Sequence, residues 1–226
     1  MKCTTLEEKL DLACKIAKSC FDRGLGSGMT GNLSFMHKGY IFITAGGTCF
    51  GFLTRKDFAA VAYEAAEDNG DARLEADDVN CSTDPFEAEI ITDALSLKPS
   101  KELPLHKTVY DGLWNEGIRE GAVIHTHSTY SVLWSCVHGL DPGNCVPDHT
   151  PYLRMKMGSC GLIPYEKPGS KELFDAFARE KGDKYGWLLS HHGLLTCGRD
   201  LPEAFGRSEE LEESCKIAWM LRGAGL

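Results

Sequence analysis

The sequence predicts a layered α/β or α+β fold, and three of its features carry the prediction. Short apolar runs bounded by glycine and proline turns alternate with stretches whose apolar residues recur every three to four positions, so strands alternate with amphipathic helices. The 226 residues are enough for one domain with a substantial core. Hydrophobic residues make up 42% and charged residues 25%, which are ordinary globular proportions. A single domain over 1–226 is expected, elaborated by an acidic insertion at about 64–97.

Thr4 and Glu7 are spaced as a capping box, and Leu6, Leu10, Ala13, Cys14, Ala17 and Phe21 repeat at helical spacing until Gly24. A glycine-rich loop then runs into a strand and carries Thr30, Asn32 and Ser34. Its backbone N–H groups suit a phosphate, although neither a P-loop pattern nor a helix follows. Tyr40 to Thr44 reads as a strand closed by the tight turn Ala45 to Gly47, a second glycine loop able to converge on the same ligand. Phe58 to Ala62 reads as a further strand. From Glu64 to Asp93 eleven carboxylates crowd together with little periodicity, which predicts a solvated, partly mobile insertion; their spacing is not that of an EF-hand.

Pro99 and the capping Ser100 open the central helix, whose stripe is Leu105, Val109 and Leu113, placing Glu102 in its first turn. Ala122 to Ser128 is a short buried strand whose end throws His125 and His127 to one face, because side chains alternate with period two. Tyr130 to Cys136 suggests a helix against the sheet, and Leu140 to Thr150 a loop. Tyr152, Arg154 and Lys156 alternate as on an exposed strand. Leu162 to Tyr165 looks like an edge strand, since Pro164 cannot donate to a ladder. Ser170 to Lys181 forms a helix with Leu173, Phe174 and Phe177 inward. Gly186 to Gly193 repeats the pattern of an apolar strand ending in histidine; His191 and His192 are adjacent, so only one can join His125 and His127. Asp200, Pro202 and Glu203 start a closing helix with Ala204, Phe205, Leu211, Cys215, Ala218 and Leu221 inward and its glutamates, Glu209 to Glu213, as a solvated face.

Two imidazoles on one face, a third from another strand end and a helix-start carboxylate make a donor set suited to zinc. The formal charge of -9 argues against a nucleic-acid surface, and an anionic substrate would need local cationic help. Ten cysteines occur without any Cys-x-x-Cys, as in a reduced cytoplasmic protein; no membrane span and no targeting signal are visible.

Over nearly its whole length the sequence resembles the class II aldolase/adducin family, through Thr30-Gly-Asn-Leu-Ser34, Thr44-Ala-Gly-Gly47, Pro99-Ser-Lys-Glu102, His125-Thr-His127 and His191-His192-Gly193 before a long terminal helix. The resemblance implies a three-layer α/β/α fold around a largely antiparallel sheet and a homotetramer with active sites at subunit contacts. It further implies Zn2+, or another divalent metal, held by His125, His127 and His192, with Glu102 as ligand or acid/base. Within the family the likeness is strongest to the 3-oxo-tetronate 4-phosphate decarboxylase branch, through Lys98-Pro-Ser-Lys-Glu102, Thr150-Pro-Tyr-Leu-Arg-Met-Lys-Met-Gly158 and Pro164-Tyr-Glu-Lys-Pro-Gly169.

That branch implies release of CO2 from 3-oxo-tetronate 4-phosphate, giving dihydroxyacetone phosphate through a metal-stabilised enediolate. The proton would come from Glu102, or from Tyr152 of a neighbouring subunit. Asn32, Gly47 and Ser100 are assigned to the phosphate, and Lys101 to the substrate carboxylate or phosphate. Sugar-phosphate aldolases of the family carry a second serine where this chain has Lys101, and the decarboxylase branch tends to have Ala-Asn at Ser190-His191. The alternatives are a fuculose- or ribulose-phosphate type aldolase, an epimerase, or a non-catalytic adducin-like module.

Overall fold

The structure is a computed structural model and describes residues 5–63 and 85–225. Helix α1 (Leu6–Asp22) opens on a capping box formed by Thr5 and Glu8, one residue later than the expected Thr4–Glu7 pair, of which Thr4 lies outside the described residues. Strands β1 (Asn32–His37), β2 (Tyr40–Thr44) and β3 (Phe58–Ala62) follow as an antiparallel meander. The expected insertion falls partly outside the described residues. Within its remainder is an unforeseen helix, α2 (Pro85–Leu95), joined to β1 by a buried Glu87 that meets His37 Nε2 at 2.9 Å and Lys38 Nζ at 3.0 Å.

Helix α3 (Leu103–Asn115) begins later than the sequence suggests: Glu102 is its N-cap rather than a first-turn residue, and Pro104 occupies the opening turn. Leu105, Val109 and Leu113 are buried as the stripe requires. Strand β4 (Ala122–Thr126) leads to α4 (Thr129–Ser135). Pro151–Met157 is helix α5, not an exposed strand; Pro151 preorganises its first turn and Gly158 ends it. Strand β5 (Gly161–Ile163) lies at the sheet edge, as Pro164 demands, and α6 (Lys171–Glu180) is capped by Ser170. After β6 (Gly186–Leu189) a tight turn returns the chain as β7 (Gly193–Gly198), a strand the sequence reading had not separated, before α7 (Leu201–Gly223).

The seven strands form one sheet in the order β3-β2-β1-β4-β7-β6-β5, antiparallel throughout except for β5 beside β6. On one face Leu33, Phe35, Phe42 and Ile124 pack against α1 and the start of α7, and farther along Leu188 and Leu194 pack against α4, α5 and α7. On the other face Ile41, Ile43, Val123 and Leu195 pack against α3 and α6. This is the expected three-layer arrangement. The glutamates of α7 are not merely solvated. Glu212 accepts from the backbone N–H groups of Tyr130 and Ser131 at 2.9 Å each and so caps α4, while Glu209 pairs with Arg23 and Glu210 with Lys156. The eight described cysteines are free thiols. Among the described residues no helix is long and apolar enough to cross a membrane.

Candidate metal centre and active site

The centre of the sheet sets the site. Across β1 and β4, Asn32 stands opposite His125, and across β4 and β7 His125 stands opposite Leu195. His127, just beyond β4, falls on the same face by alternation. His192 comes from the β6–β7 turn, closed by its own N–H on the Leu189 carbonyl at 3.0 Å. One ring nitrogen from each of His125, His127 and His192 lies within 4.8 Å of the others.

Two glycines permit this approach. A Cβ on Gly193 would sit 2.2 Å from the Thr126 carbonyl oxygen, and one on Gly31, whose φ is +84°, would sit 2.8 Å from that of His125. His191 takes a left-handed φ of 57°, which turns the adjacent histidines apart. His192 faces the two other imidazoles, while His191 meets the Tyr165 ring edge-on and has Nδ1 3.2 Å from Cys136 Sγ.

The donor set fits a divalent cation. His125 Nδ1 lies 2.7 Å from the Leu194 carbonyl, which can only accept, so Nδ1 carries the proton and Nε2 offers its lone pair to the cluster. Both nitrogens of the buried His192 are without a hydrogen-bond partner. Burial pushes the imidazoles of His125 and His127 down and that of His192 down to about 4, keeping them in the neutral form that binds metal. Glu102 is 5% exposed, and its two carboxylate oxygens lie 3.4 Å from His125 Nε2 and 3.4 Å from His192 Nε2. Burial opposes its ionisation, but His125, His192 and the Asn32 amide outweigh burial and hold the carboxyl below its usual value.

Of the residues assigned to phosphate, Asn32 has its side chain between Glu102 and His106, with Nδ2 2.8 Å from Glu102 Oε2 and Oδ1 2.5 Å from His106 Nε2. Gly47 and Ser100 lie on adjoining segments, because Ser100 N–H donates to the Thr44 carbonyl and Gly46 N–H to that of Lys98. Lys101 is exposed, lays its stem along Gly169, and its charge bears on His192. Tyr152 is 58% exposed on α5.

Sequence reasoning left His106, Ser34 and Tyr110 without roles, yet they form a buried chain behind Glu102. A signal existed for His106: four residues after Glu102, it lies on the same side of the helix start. A cavity of about 590 Å³ between α3 and the 181–184 turn shares no residue with the imidazole cluster.

A largely antiparallel sheet between helical layers gathers three imidazoles and a carboxylate at its centre, a donor set able to hold a divalent metal ion, and the relatives that share this fold are lyases. The chain belongs to the Class II Aldolase and Adducin N-terminal domain family, whose model matches residues 11–219. It is 35% identical over 208 residues to the 3-oxo-tetronate 4-phosphate decarboxylase of Escherichia coli strain K12, covering 92% of this chain and 84% of the relative. It is 26% identical over 211 residues to the L-fuculose phosphate aldolase of Methanococcus maripaludis strain C5, covering 93% and 96%. Among solved structures it resembles YgbL from Escherichia coli, a candidate aldolase/epimerase/decarboxylase, with a TM-score of 0.74 and 33% identity over 94% of this chain and 88% of that one.

Proposed function

We propose that this chain is a zinc-dependent carboxy-lyase that converts 3-oxo-tetronate 4-phosphate to dihydroxyacetone phosphate and CO2. The observation that carries the reading is Lys101, which directly precedes Glu102 and lays its stem along Gly169, where the aldolase pattern has a serine. A β-keto acid brings one more negative charge than an aldol substrate, and a cation beside the imidazoles answers it. The 35% identity to a decarboxylase, against 26% to an aldolase, supports the same choice.

His125, His127 and His192 would hold the ion, with Glu102 beside them as ligand or acid/base. A bound divalent cation would supply positive charge to the oxygens on which negative charge gathers as the carbon–carbon bond breaks. The chain's own residues do the rest. Asn32, Gly47 and Ser100 seat the phosphate, with Gly47 and Ser100 on loops tied together by the backbone bonds at Thr44 and Lys98. Lys101 holds the substrate carboxylate. No base is needed to break the bond, because that carboxylate is already ionised. Glu102, ionised in the free protein, takes the proton of the substrate hydroxyl and returns it to the carbon that CO2 has left, and the hydroxyl oxygen regains a proton from solvent, the one proton the reaction consumes. Tyr152, exposed on α5, is the alternative donor, offered to a neighbouring copy in a homotetramer. A single domain carries the metal site, and the protein works in the cytoplasm.

The second reading is an aldolase acting on a sugar phosphate, favoured by the shared metal and phosphate residues and by the Methanococcus relative. A paired assay on the purified zinc-loaded protein separates the two: CO2 from 3-oxo-tetronate 4-phosphate is expected. Aldehyde from fuculose or ribulose phosphate, without CO2 release, would overturn the proposal.

A further inference from the structure

Behind Glu102 lies a row of buried polar groups, of which Tyr110, Ser34 and His106 take part in no step of the proposed reaction. Tyr110 Oη is 2.6 Å from Ser34 Oγ, Ser34 Oγ is 2.6 Å from His106 Nδ1, His106 Nε2 is 2.5 Å from Asn32 Oδ1, and Asn32 Nδ2 is 2.8 Å from Glu102 Oε2. All five side chains are buried. Each atom's part in the row follows from the one beside it. Asn32 donates its Nδ2–H to Glu102 Oε2, which leaves its amide oxygen to face His106. An amide oxygen only accepts, so the His106 proton is on Nε2. Burial pushes His106 down to about 3, so the ring is neutral near pH 7 and Nδ1 is a lone pair. Ser34 must then donate to Nδ1, and its oxygen is left to accept from Tyr110. Every hydrogen in the row points toward the metal centre.

We propose that His106 is a positioning residue for Glu102: its Nε2–H locks the Asn32 amide, which ties down Oε2 and leaves Oε1 as the oxygen that exchanges protons with substrate. The proposal rests on Glu102 acting in proton transfer. The two oxygens are otherwise alike, each 3.4 Å from an imidazole nitrogen, so without the lock the carboxylate could turn over and lose its one productive setting. The side-chain hydrogen bonds of His106 go to Asn32 and Ser34, not to Gly47, Ser100 or Lys101, and Asn32 keeps a second amide hydrogen for the phosphate, so loss of His106 acts on turnover more than on substrate affinity.

Two measurements test this. Nitrogen-15 NMR of the zinc-loaded wild-type protein near neutral pH reads the tautomer of His106 directly; a proton on Nε2 alone is expected, and a proton on Nδ1 or on both nitrogens would overturn the proposal. The second compares His106→Phe, which fills the space without a donor, with His106→Gln, whose amide can again donate to Asn32. The Phe variant should lose about 10–100-fold in kcat with little change in KM, and the Gln variant should recover most of that loss. A folded Phe variant with wild-type kcat, or a Gln variant no better than Phe, would sink the idea; if Phe fails to fold, the tautomer and the Gln variant decide. Turnover is followed with whichever product, CO2 or aldehyde, the wild type releases. A wrong substrate assignment therefore shows in the product, and a wrong role for His106 in the tautomer.

Discussion

At Glu102 burial and local bonding pull in opposite directions, and the balance decides what the residue can do. The ionised form wins, so Glu102→Gln should cut turnover by about 10²–10⁴-fold while the three imidazoles still retain the ion, checked by kcat beside elemental analysis. Loss of the metal together with activity would make Glu102 chiefly a ligand. Lys101→Ser should cost about 2 kcal/mol, roughly thirtyfold, in kcat/KM for decarboxylation; unchanged kinetics would remove Lys101 from the substrate. His106 has a consequence for stability. Its folded value of about 3 lies below the ordinary 6.5, so below pH 6.5 the unfolded chain takes up a proton that the folded chain refuses. Stability should therefore fall as pH drops from 6.5 toward 3, by roughly 1 kcal/mol per pH unit, with no contribution above 6.5. Urea midpoints at about pH 7.5 and about pH 5 in chelator should separate more for wild type than for His106→Gln.

Among the elements, the β6–β7 turn carries the most consequence, because it delivers His192. Gly193→Ala would force a Cβ against the Thr126 carbonyl, so β4 and β7 must part where His125 and His192 are held. A loss of at least about 2 kcal/mol is expected, along with lowered metal stoichiometry, read by thermal unfolding and elemental analysis. His191 occupies the left-handed position where the decarboxylase branch tends to have asparagine, a residue that tolerates this conformation. His191→Asn should be near neutral, whereas His191→Val should cost about 1–2 kcal/mol by the same unfolding measurement. The elements that were legible in advance are those with a clean period and a marked end, such as α1, β2, β3 and α6. Strand β7 was hidden because Gly193–Gly198 is buried on both faces and follows β6 after a three-residue turn, so no alternation marks it off. Helix α5 was hidden because seven residues alternating between large and charged side chains mimic period two, although Pro151 after Thr150 was a usable start signal.

For the whole molecule, the imidazole cluster joins β4 to the β6–β7 turn, so an ion bound there should favour the folded state. At a hundredfold excess over its Kd, zinc should add about 3 kcal/mol, lost on chelation and recovered on readdition, as seen by thermal unfolding. Tyr152, Met155 and Tyr165 leave large apolar groups exposed. A solution mass of several copies by light scattering is expected, and a monomer that turns over substrate fully would free Tyr152 from any role between copies. The sequence alone determined the layered class, the periodic helices and most strands, because local periodicity and short motifs are properties of neighbouring residues. Only the tertiary structure decided how closely the rings of His125, His127 and His192 approach one another, that Asn32 and His106 stand behind Glu102, and that two glycines admit close backbones there. Those facts arise from strand register and from contacts between residues as far apart as Gly31 and His125, which no local pattern encodes.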